Sequence, residues 1–86
     1  MVSRLVSVSN ETGFHVRPAG RLAKAAEGCT SKVEIIYGHS IINAKSMLNI
    51  LSAAIRKGDQ IELRCTGPDE VKDLAKLSEI IRCLED

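Results

Sequence analysis

The chain has 86 residues, 44% of them apolar, and its 12 basic and 11 acidic side chains leave a formal net charge of +1. That length suits one small domain, residues 1–86, with a thin core, near the size where folding buries only about 60% of the unfolded surface. So even a balance supplies no bulk attraction to nucleic acid or anionic membrane, and one Tyr, one Phe and no Trp leave few rings for stacking on bases.

Residues 2–8 place β-branched residues in rough alternation and predict a first strand that buries Val6 and Val8. Asn10, Glu11, Thr12 and Gly13 break that pattern. From Ala19 the apolar positions fall at 19, 22, 23 and 26, the stripe of an amphipathic helix. Pro18 fits the first helical turn, where its missing N–H loses no bond, so the helix begins near Val16 with His15 at or beside the N-cap. Gly28 is expected to end it as a C′ residue. Arg17, Arg21 and Lys24 lie off the apolar stripe. Lys32 to Tyr37 and Ser40 to Asn43 flank Gly38-His39 and read as a hairpin with a two-residue turn.

Ser46 can cap a short helix that runs toward Gly58, with Ile50, Ala54 and Ile55 on its inward face; Met47, Leu48 and Leu51 cannot all point inward as well. Ile61, Leu63 and Cys65 alternate with Glu62 and Arg64 as a fourth strand with one wet face. Gly67-Pro68-Asp69-Glu70 opens a last helix with Pro and acids in its first turn, and Val71, Leu74, Ala75, Leu77, Ile81 and Leu84 form its apolar face. The order is βαββαβα, an α+β arrangement in which an antiparallel sheet carries its helices on one face and leaves the other to solvent.

Cysteines at 29, 65 and 83 are odd in number and lack C-x-x-C spacing, which predicts reduced thiols and neither a disulfide framework nor a zinc site. No metal and no cofactor are expected. No leader opens the chain and no apolar run approaches the roughly 18 residues of a membrane span, so a cytoplasmic protein is expected.

The chemistry concentrates at Gly13-Phe14-His15-Val16-Arg17-Pro18-Ala19. A helix start presents unpaired N–H groups and the positive end of the macrodipole, and so favours phosphate. Arg17 adds a planar, permanently charged fork for phosphate oxygens. A neutral imidazole nitrogen can attack a phosphoryl donor, and the labile phosphoramidate passes the group on, so such a transfer asks mainly for positioning and charge stabilisation. His39 has no such context and reads as turn filler.

The segment Glu11-Thr12-Gly13-Phe14-His15-Val16-Arg17-Pro18-Ala19 resembles the active-centre signature of the HPr family, the histidine-containing phosphocarriers of the bacterial phosphoenolpyruvate:sugar phosphotransferase system. A second block, Asn43 to Leu51, resembles the regulatory-serine segment of the same family. The resemblance implies an open-faced β-sandwich of four antiparallel strands in the order 1-4-2-3, with three helices on one face. It implies that His15 accepts a phosphoryl group through Nδ1 from enzyme I and gives it to sugar-specific IIA domains, with Arg17 neutralising the phosphate and Thr12, Val16 and Pro18 supporting the site. It further implies that an HPr kinase/phosphorylase modifies Ser46, which promotes binding to a catabolite-repression regulator. Gly20, Arg21, Lys24, Met47, Leu48, Asn49 and Leu51 match the docking surface of a monomeric carrier. Phe14 and Val16 depart from the smaller or aliphatic residues common in the signature, and Asn49 stands where many relatives have Gly.

Two other readings compete. One is a regulatory paralogue whose main output is the Ser46 switch, against which the pair His15 and Arg17 counts. The other is a small α/β module that binds RNA or an anionic metabolite at the helix start, against which the near-zero charge and scarce aromatics count.

Overall fold

The computed structural model describes residues 1–84. Among these, the elements run β1 (Val2–Ser7), α1 (Val16–Glu27), β2 (Lys32–Tyr37), β3 (Ser40–Asn43), α2 (Met47–Ser52), β4 (Gln60–Thr66) and α3 (Glu70–Arg82). The strands form one antiparallel sheet in the order β1-β4-β2-β3, with the three helices on one face. Register follows from the pleat, because residues alternate between faces along each strand. Leu63, Ile35 and Ile42 stand side by side across three strands and are all buried under the helices. One step along, Leu5, Glu62, Ile36 and Ile41 cross all four strands on the open face, where Leu5 and Ile41 are exposed.

The apolar stripe of α1 seats Ala19, Leu22, Ala23 and Ala26 in the core, against Ile50 of α2 and Leu74, Leu77 and Ile81 of α3. Each Leu or Ile wholly removed from water contributes roughly 1.5–3 kcal/mol, so these few side chains dominate a thin core. Val6 and Val8 are both buried. Gly38 turns the hairpin with φ +60° and leaves Tyr37 paired with Ser40.

Several helix ends differ from the sequence expectation. Gly28 is the C-cap of α1 but keeps a right-handed φ of −74°, so the helix closes without a left-handed C′ residue. The second helix stops at Ser52, well short of Gly58, because Ala54 takes φ +54° and turns the chain back. Ala54 is accordingly exposed, while Ile50 and Ile55 fill the inward positions. Pro68 lies ahead of α3, whose N-cap is Asp69. On α3 itself Val71 and Ala75 face solvent, and Asp73 and Ser78 are buried instead. The reason is a partner 42 residues away: Asp73 Oδ2 accepts from the Ser31 hydroxyl at 2.6 Å and from the Ser31 N–H at 3.2 Å. A carboxylate so bonded tolerates burial.

Candidate functional site

The loop from Asn10 to Phe14 delivers His15 to the start of α1. Asn10 Nδ2 donates to the Gly13 carbonyl at 2.6 Å, and the Phe14 N–H donates to the Ile55 carbonyl at 3.1 Å. Gly13 has φ +65°, and a Cβ there would come within 2.5 Å of the Ile55 carbonyl oxygen and 2.7 Å of the Arg56 Cα. Only glycine permits that approach. Phe14 then turns inward and is buried, which anchors the loop immediately before the histidine.

His15 is the N-cap of α1 and its backbone carbonyl accepts the Ala19 N–H at 2.8 Å, but its imidazole makes no capping bond and is exposed. Neither Val16 nor Arg17 has a carbonyl four residues back within the helix to receive its N–H, and Pro18 has no N–H to satisfy. Val16 is 53% exposed beside the imidazole, Arg17 is exposed, and Pro18 is buried. The site therefore combines a free ring, two backbone donors, a helix dipole and a guanidinium within three residues, an arrangement that favours an anion on the ring.

Thr12, His15 and Leu51 line one shallow depression together with Tyr37, Ala53, Ala54, Ile55 and Arg56. Tyr37 and Arg56 carry no motif signal, because the chain brings them to His15 only through the sheet and the loop after α2. Beside them, Asp59 Oδ2 accepts from the Tyr37 hydroxyl at 2.6 Å and from the Arg56 N–H at 2.9 Å. Chiefly through the Tyr37 bond, and then through that N–H, the Asp59 carboxyl is held below its ordinary range; the same bond raises the Tyr37 phenol.

Ser46 caps α2, its Oγ accepting from the Asn49 N–H at 3.3 Å and from Asn49 Nδ2 at 2.9 Å. Of the apolar residues expected in the docking patch, Leu48 is 75% exposed while Met47 and Leu51 are half-buried against the core. Gly20 sits under Met47, with room for a Cβ at 3.7 Å from its sulfur. Arg21 and Lys24 are exposed and border a separate groove with Ala25 and Ile80, on the α3 side of α1. His39 is exposed in the hairpin turn. A further depression, about 570 Å³, lies among Lys32, Glu34, Ile41, Asn43, Lys45 and Asn49 and contains neither histidine.

Cys29 and Cys65 are buried, and burial pushes both thiols up, Cys65 to about 11; Cys83 is exposed. Among the described residues no three His, Cys, Asp or Glu side chains are grouped to hold a metal ion, and no helix is long and apolar enough to cross a membrane.

Comparison with known proteins agrees with this geometry. The family model described as "PTS HPr component phosphorylation site" matches residues 2–82. The chain is 36% identical over 85 residues to phosphocarrier protein HPr of Buchnera aphidicola subsp. Acyrthosiphon pisum, covering 99% of this chain and 100% of the relative. It is 34% identical over 82 residues to phosphocarrier protein HPr of Treponema pallidum, covering 95% and 93%. The solved structure of a phosphocarrier protein HPr from Bacillus anthracis superposes with a TM-score of 0.88 at 30% identity, over 92% of this chain and 94% of that one. A histidine free at a helix start, the sheet order that carries it and a match across nearly the whole chain converge: the protein belongs to the HPr family of phosphocarriers of the phosphotransferase system.

Proposed function

We propose that this chain, as a single cytoplasmic domain acting as a monomer, accepts a phosphoryl group on His15 from phospho-enzyme I and passes it to sugar-specific IIA domains. The observation that carries this is the exposed His15 imidazole, which occupies the N-cap of α1 yet makes no capping bond. In the step, Nδ1 of the neutral ring supplies its lone pair to phosphorus. A phosphorus–nitrogen bond forms as the bond to the donor breaks, and that electron pair stays with the donor. The reverse exchange at a IIA domain empties the ring, so the chain is a stoichiometric carrier and turns over no substrate of its own. The N–H groups of Val16 and Arg17, with the Arg17 guanidinium, receive the charge of the phosphoryl oxygens.

Ser46 is the second phosphorylation site in this reading, modified by an HPr kinase/phosphorylase and read by a catabolite-repression regulator. Ser46 immediately precedes the half-buried Met47 and stands two residues before the exposed Leu48, so a phosphate there places charge on the docking surface. The experiment is incubation with phosphoenolpyruvate, Mg²⁺ and enzyme I, followed by intact mass. One acid-labile, base-stable phosphoryl group is expected on the wild type and none on His15→Ala, whose circular dichroism stays native. An unmodified wild type, under conditions that charge a control phosphocarrier, overturns the reading.

A further inference from the structure

We propose that Arg56 is a second phosphate ligand of the His15 site, supplied by the loop between α2 and β4 and acting together with Arg17 of α1. The inference rests on the phosphocarrier reading of His15 and adds to it a residue that lies outside the active-centre motif.

The placement is carried by the backbone. Arg56 and His15 line the same depression. The loop that bears Arg56 is fastened to the loop that bears His15 by the Phe14 N–H to Ile55 carbonyl bond at 3.1 Å and by the close approach of Gly13 to the Arg56 Cα. On its other side the Arg56 N–H is bonded to Asp59, which is itself bonded to Tyr37 in β2. The backbone of Arg56 is therefore fixed from both sides while its side chain is exposed. No carboxylate lies within ion-pair distance of its guanidinium among the described residues. The adjacent cation is different: Lys57 Nζ is 2.7 Å from Glu11 Oε1. Of the two cations that the loop presents, only Arg56 keeps its charge uncommitted to an ion pair.

Charge gives the second argument. Asp59, held in its ionised form, is bonded to two residues of this depression, Tyr37 and Arg56, and both Asp59 and Tyr37 feel the Arg56 charge. A phosphoryl group on His15 brings a further −1.5 to −2, roughly, into the same low-lying surface. Like charges on one surface repel, and a guanidinium carried by the same surface offsets that repulsion while offering a bidentate fork to phosphoryl oxygens.

The test charges the wild type, Arg56→Ala, Arg56→Gln, Arg56→Lys and Lys57→Ala with phosphoenolpyruvate, Mg²⁺ and enzyme I. It reads the charging rate and the ³¹P resonance of the phosphohistidine. Arg56→Ala and Arg56→Gln are expected to charge about fivefold more slowly, the loss of one charge-assisted contact at an exposed site, and to shift the resonance. Arg56→Lys recovers part of both, and Lys57→Ala matches the wild type. Arg56→Gln keeps the side-chain stem, so its result stands even where Arg56→Ala melts early. Wild-type rate and resonance in both variants overturn the proposal. A slower rate with an unmoved resonance also overturns it, by assigning Arg56 to the partner protein and not to the phosphoryl group. A wild type that takes no phosphoryl group refutes the phosphocarrier reading itself, a result distinct from either.

Discussion

Ala54 is the one residue other than glycine with a positive φ among the described residues. An L-residue in that left-handed region costs about 1–2 kcal/mol, from its Cβ against the carbonyl oxygen. The strain reverses the chain immediately after α2 and brings Ile55 into the core, where its carbonyl holds the Phe14 N–H. Ala54→Gly removes the clash but widens the unfolded ensemble, and a net gain of about 1 kcal/mol is expected in denaturant unfolding. A loss of stability would show that the methyl group contributes packing that outweighs its strain. Alanine is the strongest helix former, which is why the sequence pointed to a helix continuing through this position. The His15 to Pro18 run was legible because its signals are local: a proline, a helix start and a histidine within four residues. Arg56 was not legible, since it belongs to no motif and the chain brings it to His15 only through the loop after α2.

Among the elements, α1 follows its sequence pattern most closely, because its stripe of Ala and Leu agrees with both helix propensity and burial. Its one local weakness is Gly20, which is interior to the helix and costs roughly 0.5–1 kcal/mol relative to alanine. The 3.7 Å gap to the Met47 sulfur is ordinary contact distance for an added methyl group. Gly20→Ala is therefore expected to raise stability by about 0.5–1 kcal/mol in thermal or denaturant unfolding. If the variant melts lower, the α1 and α2 surfaces are packed more tightly than that distance indicates. The last helix shows the opposite relation between pattern and structure. Val71 and Ala75 continue an apolar period yet face solvent, whereas Asp73, polar by composition, is taken inside by Ser31. Hydropathy along a helix carries no information about a hydroxyl 42 residues away, so the rotation of α3 escaped the pattern.

At the scale of the whole molecule, Asp59 and Asp73 are among the carboxylates that tie distant segments. Asp59 joins the start of β4 to Tyr37 of β2, and Asp73 joins α3 to Ser31 ahead of β2. Both are held below the ordinary carboxylate range, each first by a hydroxyl, from Tyr37 and Ser31 respectively. A folded-state value below the unfolded one contributes stability that is complete above the unfolded pKa, near 3.9 for an Asp, and is lost as pH falls through the lower folded value. Stability should therefore decline as pH drops below about 4. Asp73→Asn should be less stable than wild type near neutrality and converge on it through that same window. Parallel pH profiles for the two proteins would remove Asp73 from the account.

The His15 ring takes no part in holding its helix, a duty that the His15 carbonyl and the buried Pro18 and Phe14 discharge without it. On the phosphocarrier reading, loading and unloading the ring then leave the scaffold's shape unchanged. Donor and acceptor meet the same contours in both states, and the only message that distinguishes a full carrier from an empty one is electrical.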